Sequence, residues 1–284
     1  MNPRFTKFHG LGNDYLVIEE TELAHVRDLS DFARRICNRH YGAGGDGIAV
    51  IAKLETGDAD FRCRIFNPDG SEAGLSGNGT RCAVAYLYYA GRWSEPKLRL
   101  NTRTGLKTYF LRAKTGPGQY VFESELGRPR FDPASIPMLV EGAQENVIEY
   151  PLTVGGQTVE VTAMQMGNPN CCIFVDDFDS VDWRALGKLI ENDKQFPDRT
   201  NVVFVRIQDR QSMELRIWER GVGETSASGT CSCAGAVAAM INGKTDREVL
   251  VSMPGGKVNI EWRKDDEVVI TASAEVVYTG EWLT

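Results

Sequence analysis

Alternating apolar and polar positions recur in short segments along the chain and predict a protein built mainly from β-strands. The predicted strands cover Arg4–Phe8, Leu16–Glu19, Ile48–Leu54, Phe61–Phe66, Leu98–Asn101, Lys107–Leu111, Tyr120–Glu123, Thr158–Met164, Cys171–Val175, Asn201–Ile207, Ser212–Trp218, Glu248–Ser252, Lys257–Trp262 and Glu267–Ala272. Helical periodicity is found at Leu29–Arg39, where Ser30 or Asp31 is a candidate N-cap, and at Trp183–Glu191. Strands with few helices predict an α+β fold rather than a doubly wound parallel sheet.

An internal repeat relates the two halves of the chain. The pattern E-x-x-x-S-G begins at Glu72 and again at Glu224, 152 residues later, and a Gly-Asn pair recurs with an offset of 155 residues. Each copy leads into an alanine-rich segment, Cys82–Ala90 or Cys233–Ile241, that is almost wholly apolar. A helix that is apolar on all sides is buried. The repeat therefore predicts two similar domains, each with a β layer wrapped around one central helix.

The residues before each predicted buried helix are small and glycine-rich. The N-terminus of a helix offers unpaired N–H groups and a partial positive charge, which suit a carboxylate or a phosphate. Two such ends facing each other would form one cleft with two anion-binding positions, near Ser76 and Ser228. The alternative is that both serines are simple N-caps.

Composition narrows the class of protein. The chain has 284 residues, of which 42% are hydrophobic and 25% charged, which is typical of a globular protein with two domains or one large one. The net charge of −7 argues against a general nucleic-acid binder. Without a membrane-length apolar run or a signal-peptide core, we expect a soluble cytoplasmic protein that binds neither nucleic acid nor membrane.

Neither the candidate metal motif nor the candidate nucleotide motif has the sequence context that such a site requires. The seven cysteines are scattered and odd in number, which predicts free thiols, and Cys231-x-Cys233 lacks a second pair for a tetrahedral metal site. Gly42, Gly44 and Gly47 match G-x-G-x-x-G but follow a predicted helix, whereas a dinucleotide fingerprint follows a strand. We therefore expect no metal and no nucleotide cofactor.

Seven motifs carry a resemblance to a known family. They are HGLGNDY at 9–15, RHYGAGGDG at 39–47, FNPDGSE at 66–72, SGNGTRC at 76–82, GNPN at 167–170, RTNV at 199–202 and ERGVGET at 219–225. In this order they resemble the diaminopimelate epimerase family of cofactor-independent amino-acid racemases and epimerases. The resemblance implies two pseudo-symmetric domains, each a β-barrel-like sheet around a central buried helix, at 1–127 joined by 273–284 and at 128–272. It also implies interconversion of LL- and meso-diaminopimelate, on the route to lysine and peptidoglycan, without pyridoxal phosphate or metal.

The chain departs from this family at the catalytic positions. The family removes the α-proton with one cysteine and returns a proton with another, and Ser76 and Ser228 stand at those two positions. A thiol has a pKa of about 8.5, whereas that of an aliphatic hydroxyl lies near the value of about 15.7 for water, so its anion requires about 10 kcal/mol more. Three hypotheses about the function remain. The first is an epimerase whose serines are native or substituted, and the second is a related amino-acid isomerase of other specificity in which Glu72, Glu224 or water assists. The third is a non-catalytic amino-acid-binding homologue.

The resemblance also assigns the other site residues. Contacts to a small amino-acid substrate are implied for Asn13, Asn67, Asn168, Asn201, Glu219 and Arg220, and backbone donors to its carboxylate for Gly77, Asn78, Gly229 and Thr230. Alternatively, Arg220 forms a surface ion pair, and Asn67 and Asn201 are turn residues. Asn170 replaces the usual histidine of the family and Gly47 a frequent glutamine. Tyr278 matches a tyrosine of the family's homodimer interface, so a homodimer is expected.

Overall fold

The computed structural model describes residues 2–283. The chain divides into two compact units, Met1–Ser124 with Thr271–Thr284, and Glu125–Ile270. The boundaries predicted from the sequence, 127/128 and 272/273, stay predictions about the functional domains.

Strands dominate both units, and residues 2–283 also form four α-helices. The strands are β1 Arg4–Gly10, β2 Asn13–Glu19, β3 Gly47–Lys53, β4 Phe61–Phe66, β5 Glu72–Ala73, β6 Lys97–Thr102, β7 Gly105–Gly116, β8 Gln119–Gly127, β9 Tyr150–Val154, β10 Gln157–Gln165, β11 Pro169–Phe174, β12 Asn201–Asp209, β13 Ser212–Glu219, β14 Gly223–Thr225, β15 Glu248–Met253, β16 Gly256–Trp262 and β17 Val268–Glu281. The helices are α1 Leu29–Cys37, α2 Gly77–Tyr89, α3 Trp183–Glu191 and α4 Gly229–Ile241.

The first unit is a closed eight-stranded barrel around α2. Its strands pair in the order β1, β2, β3, β4, β6, β7, β8 and β17, and β17 returns to pair with β1. The β2–β3 and β4–β6 pairs are parallel. Ten of the thirteen residues of α2 are buried, so the helix contacts the sheet on all sides, and aromatic side chains such as Phe8 and Phe122 fill the space around it.

The second unit repeats this arrangement around α4. Strands β9, β10, β11, β12, β13, β15 and β16 pair in that order, and the β11–β12 and β13–β15 pairs are parallel. Ten of the thirteen residues of α4 are buried. The parallel pairs and the buried helix fall at corresponding places in both units. The predicted fold class, α+β with two pseudo-symmetric barrel-like domains around buried helices, is therefore confirmed.

Several element boundaries differ from the prediction. Helix α1 is capped by Asp28, whose carboxylate accepts hydrogen bonds from two amides of the first turn, so the predicted cap at Ser30 or Asp31 was wrong. Helices α2 and α4 begin at Gly77 and Gly229, before the almost wholly apolar segments. All seven cysteines are free, as predicted, and all of them are buried. Within residues 2–283, no helix is long and apolar enough to span a membrane.

Candidate active site

A tight hairpin turn places Asn13 beside the N-terminus of α2. Leu11 and Gly12, between β1 and β2, both have positive φ, 59° and 80°, as a two-residue type I′ turn requires. Asn13 Nδ2 then donates to Asp46 Oδ2 at 2.7 Å, and Asn13 Oδ1 accepts from Asn78 Nδ2 at 3.2 Å. Both ends of the Asn13 amide are thus oriented by other side chains.

Asn78 is oriented in turn by a buried arginine. Arg81 is 3% exposed, and its guanidinium donates to Asn78 Oδ1 at 2.5 Å and to the Ser273 carbonyl at 2.9 Å. Burial lowers the pKa of Arg81, because desolvation disfavours the charged form. This hydrogen-bond chain joins α2 to the C-terminal segment of the same unit.

Charged side chains next to Asn13 form ion pairs that also hold this hairpin turn. Asp14 contacts Lys7 Nζ at 2.7 Å and Arg39 Nη2 at 2.7 Å, and Arg39 also reaches Asp46 at 2.8 Å. Burial alone would raise the pKa of Asp14, but the hydrogen bonds from Arg39 and Lys7 outweigh it and hold the pKa well below its usual range.

This depressed pKa predicts acid sensitivity. Folded Asp14 binds its proton less readily than the unfolded residue, so its stabilisation is present above about pH 4 and is lost as the pH falls below that value. We expect Asp14→Asn to lower the urea midpoint near pH 7 and to flatten its fall on acidification. The exposed Asp58→Asn is the control, and urea melts of the three proteins across acidic pH give the comparison. Equal acid dependence in all three would contradict the prediction.

Ser76 forms the N-cap of α2 and has a second donor beside it. Its Oγ accepts from the Gly79 N–H at 3.0 Å and from the Tyr15 hydroxyl at 2.9 Å. Burial raises the pKa of Tyr15, so the phenol remains protonated. The amides of Gly77 and Asn78 have no acceptor among residues 2–283. They are available to an anion.

The absence of a side chain at Gly47 leaves room for the Tyr15 ring. A Cβ at Gly47 would lie 2.7 Å from both the Phe66 carbonyl oxygen and Tyr15 Cε1, and a Cβ at Gly79 would lie 2.9 Å from Tyr15 Cε1. The ring therefore packs against two glycines, and a glutamine at position 47 would displace it.

We expect Gly47→Ala to lower the free energy of unfolding by about 1–3 kcal/mol, because the Phe66 carbonyl is fixed in the β3–β4 ladder and cannot move aside. Urea denaturation measures this. Gly45→Ala, two residues before β3, is the matched control, since the nearest contacts of its Cβ would be an ordinary 3.5 Å, and it should change stability by less than about 1 kcal/mol. Equal effects of the two substitutions would show that the close contact at Gly47 carries no energy.

In the second unit, Asn170 connects two of the asparagines that were predicted to contact the substrate, Asn168 and Asn201. Its Nδ2 donates to Asn168 Oδ1 at 3.0 Å, and its Oδ1 accepts from Asn201 Nδ2 at 3.1 Å. Asn201 Oδ1 accepts from the Arg220 amide at 2.9 Å. Because Asn170 is fully buried, it orients its neighbours and does not itself face solvent.

Glu219 and Arg220 are the charged residues next to these hydrogen-bonded asparagines. Burial raises the pKa of Glu219, and no side-chain partner of its carboxylate is present in the described part of the chain. Arg220 Nη1 donates to the Asp198 carbonyl at 2.9 Å, and over residues 2–283 it forms no ion pair. The structure therefore does not contain the surface ion pair that was the alternative role for Arg220.

Ser228 lies at the N-terminus of α4 without the hydrogen bonds that Ser76 has. It makes no side-chain cap, and its Oγ lies 3.4 Å from Thr230 Oγ1. Burial raises the pKa of the neighbouring Cys231 to about 12, and the Ser228 and Thr230 hydroxyls act in the opposite direction. Among residues 2–283, no acceptor is present for the amides of Gly229 and Thr230.

The remaining candidates are engaged in local contacts. Asn67 Nδ2 donates to Ser71 Oγ at 2.9 Å within a tight turn, which agrees with its alternative assignment as a turn residue. Glu72 forms a two-point ion pair with Arg64, which lowers the pKa of Glu72, and Glu224 forms one with Arg184. Both glutamates are therefore poor candidates for a helping base.

Sequence reasoning did not single out Tyr15, Arg81 or Asp46 as parts of the site, nor the bridging role of Asn170. The repeat contained one usable signal. Its offset of 155 residues pairs Tyr15 with Asn170, so both halves place a hydrogen-bonding side chain two positions after the repeated Gly-Asn pair.

Comparison with solved structures identifies related folds. The chain matches a hydroxyproline epimerase from Agrobacterium vitis with a TM-score of 0.66 and 12% identity, over 98% of this chain and 90% of that one. It matches a PhzF-family phenazine biosynthesis protein from Bacillus anthracis with a TM-score of 0.67 and 17% identity, over 100% of both chains. At these identities the likeness shows the fold alone.

Sequence comparison gives a closer relation. A diaminopimelate epimerase of Pelotomaculum thermopropionicum is 41% identical over 279 residues, and one of Synechocystis is 39% identical over 278 residues, each match covering 98% of both chains. The family described as "Diaminopimelate epimerase" matches residues 5–130 and 162–280, which include Ser76 and Ser228. The chain belongs to the diaminopimelate epimerase family.

Proposed function

We propose that this protein interconverts LL- and meso-diaminopimelate without pyridoxal phosphate. The observation that carries the proposal is the match to relatives named diaminopimelate epimerase, at about 40% identity over 98% of both chains. The duplicated serine at the N-terminus of a buried helix supports a two-base reaction. Inversion at Cα requires one group that removes a proton and a second group that delivers one to the opposite face.

In this proposal the helix ends bind the substrate α-carboxylate. The open amides of Gly77 and Asn78 in α2, and of Gly229 and Thr230 in α4, supply hydrogen-bond donors. When the α-proton leaves, its electron pair spreads onto the carboxylate, and donors already pointing there stabilise the added charge. Two rows of such donors replace the electron sink that a cofactor would provide.

The other charged and amide groups give the site its selectivity for an amino acid. The Glu219 carboxylate suits a substrate ammonium group, and the Arg220 guanidinium suits a carboxylate. Asn13, Asn67, Asn168 and Asn201 supply amide donors and acceptors, and each is held by a hydrogen bond described above. These site assignments are proposals that mutagenesis can test.

Because Ser76 and Ser228 stand where the family has its catalytic cysteines, a second candidate function is open. The protein would then be an amino-acid-binding homologue without turnover or an isomerase acting on another amino acid. Proton NMR in deuterated water with LL-diaminopimelate separates these functions, using the chain as it stands and Ser76→Cys/Ser228→Cys. Deuterium at Cα with the original chain supports a working serine pair. Exchange only in the double variant supports an epimerase limited by its serines. If neither exchanges diaminopimelate but another amino acid is labelled, the proposed substrate is wrong.

We also propose a cytoplasmic homodimer that binds neither nucleic acid nor membrane. Tyr278 is 39% exposed, packs edge-on against Phe5 at 5.9 Å and donates to the Ala43 carbonyl at 2.7 Å. This fixed, half-exposed ring would suit a subunit interface. Light scattering with Tyr278→Asp tests it: a dimer that becomes monomeric supports the assignment, and a monomer at the outset contradicts it.

A further inference from the structure

We propose that Tyr15 is a positioning residue whose hydrogen bond makes Ser76 the serine that gives up its proton first, while Ser228 remains the protonated partner. The inference rests on the proposed two-base function for its catalytic meaning. The unequal surroundings of the two serines are independent of it.

The Ser76 oxygen accepts two hydrogen bonds. A hydroxyl oxygen has two acceptor positions and one donor. The Tyr15 hydroxyl at 2.9 Å and the Gly79 N–H at 3.0 Å fill both acceptor positions of Ser76. Donors directed at an oxygen favour its anion over its neutral form, so Ser76 is the more acidic of the two serines.

The fold keeps the Tyr15 hydroxyl at this place. Its ring is 5% exposed and packs against the two glycines at 47 and 79, where side chains would come within 3 Å of it. Burial keeps the phenol protonated and therefore a donor. The nearby charged groups are Asp46, whose charge acts on Tyr15, and Arg81, which faces Asn78. Neither makes a hydrogen bond with the Ser76 hydroxyl.

The second unit lacks this arrangement at both corresponding positions. The counterpart of Tyr15 is Asn170, whose amide is engaged with Asn168 and Asn201. The counterpart of Gly79 is Cys231, and the Cys231 amide does not cap Ser228. The charge of Glu219 acts on this end of α4 and opposes a second anion there. In place of the two donors at Ser76, Ser228 thus has only the Thr230 hydroxyl near it among the described residues, at a long 3.4 Å.

The proton transfers then follow one order, with Ser76 as the base and Ser228 as the acid. Ser76 first loses its hydroxyl proton to solvent water. Its oxyanion then takes the proton from Cα, and the electron pair of the broken C–H bond stays with Cα and its carboxylate. The Ser228 hydroxyl delivers its proton to the opposite face, where that electron pair forms the new C–H bond. The negative charge ends on Ser228 Oγ. Ser228 then takes a proton from solvent and Ser76 loses one to solvent, which restores the starting state.

Thiol titration tests the inference without requiring turnover. Full-length Ser76→Cys and Ser228→Cys proteins are alkylated with iodoacetamide across a range of pH. The original chain, whose seven cysteines are all buried, serves as the blank. We expect a lower pKa for the thiol at position 76 than at 228. Tyr15→Phe should raise the thiol pKa at position 76 by about one unit and leave that at 228 unchanged.

Tyr109→Phe is the matched control. It also removes a buried tyrosine hydroxyl that bonds to α2, but its partner is Thr80 Oγ1 at 2.6 Å and not Ser76. This variant should leave both thiol pKa values unchanged. An unchanged thiol pKa at position 76 in Tyr15→Phe, or equal shifts at both positions, would overturn the inference.

Two further measurements keep the test decisive. If Tyr15→Phe fails to fold, difluorotyrosine at position 15 keeps the ring, strengthens the donor and should lower the thiol pKa at 76; no shift overturns the inference. In Ser76→Cys/Ser228→Cys, Tyr15→Phe should lower kcat several-fold with KM unchanged. If no variant turns over diaminopimelate while the thiol shift is present, the proposed function fails and the role of Tyr15 in acidifying position 76 stands.

Discussion

Ser76→Cys/Ser228→Cys is expected to exchange the α-hydrogen of LL-diaminopimelate at least about a thousandfold faster than the chain with both serines. The pKa of a thiol lies about seven units below that of an aliphatic hydroxyl, so far more of it is ionised near neutral pH. The weaker basicity of the thiolate removes roughly half of this advantage on a logarithmic scale, which leaves at least about three orders of magnitude.

Progress curves at saturating substrate measure this rate, and the single variants Ser76→Cys and Ser228→Cys should fall between the two extremes. Ser226→Cys is the control, because it adds an exposed thiol two residues before Ser228 without placing it at the end of α4. A double variant within about tenfold of the original chain would contradict the assignment of these serines to proton transfer.

Arg81→Met is expected to lower the free energy of unfolding by about 2–5 kcal/mol, the second large effect. Arg81 is buried, and its removal leaves the Asn78 amide oxygen and the Ser273 carbonyl without their donor. Buried acceptors that lose their partner retain the full penalty of desolvation. Since Asn78 also orients Asn13, substrate affinity should fall together with stability.

Urea denaturation with a fluorescence or circular dichroism signal gives the stability change. Arg103→Met is the matched control, because Arg103 is an exposed arginine of the same unit whose Nη1 donates to the Glu72 carbonyl at 3.1 Å. Its effect should stay within about 0.5 kcal/mol. A loss below about 1 kcal/mol for Arg81→Met would show that the buried guanidinium does not support the fold.

The repeat and the buried helices could be predicted because their signals are local. An alanine-rich segment with no polar face has one stable environment, the interior, and two such segments at one offset imply two similar units. Strand β9 escaped prediction although its residues alternate between buried and exposed. Pro151 at its second position weakens the strand signal, since proline cannot donate to a β ladder.

The contacts that orient the site could not be predicted, because they join residues far apart in sequence. Tyr15 and Ser76 are 61 residues apart, and Arg81 and Ser273 are 192 apart. Asn170 replaces a histidine expected from the family, and its place between two other asparagines follows only from the β10–β11 turn and the parallel β11–β12 register. Motif comparison names such positions, but only the fold shows which side chains they orient.

The most direct test of a two-base reaction is the isotope content of product and substrate early in the reaction. Ser76→Cys/Ser228→Cys is incubated with LL-diaminopimelate in deuterated water and stopped at a few per cent conversion. Two separate groups predict meso product that carries deuterium at the inverted Cα, while the remaining LL substrate stays unlabelled. Product that retains its original hydrogen would show that a single group removes and returns the same proton, and would contradict the account.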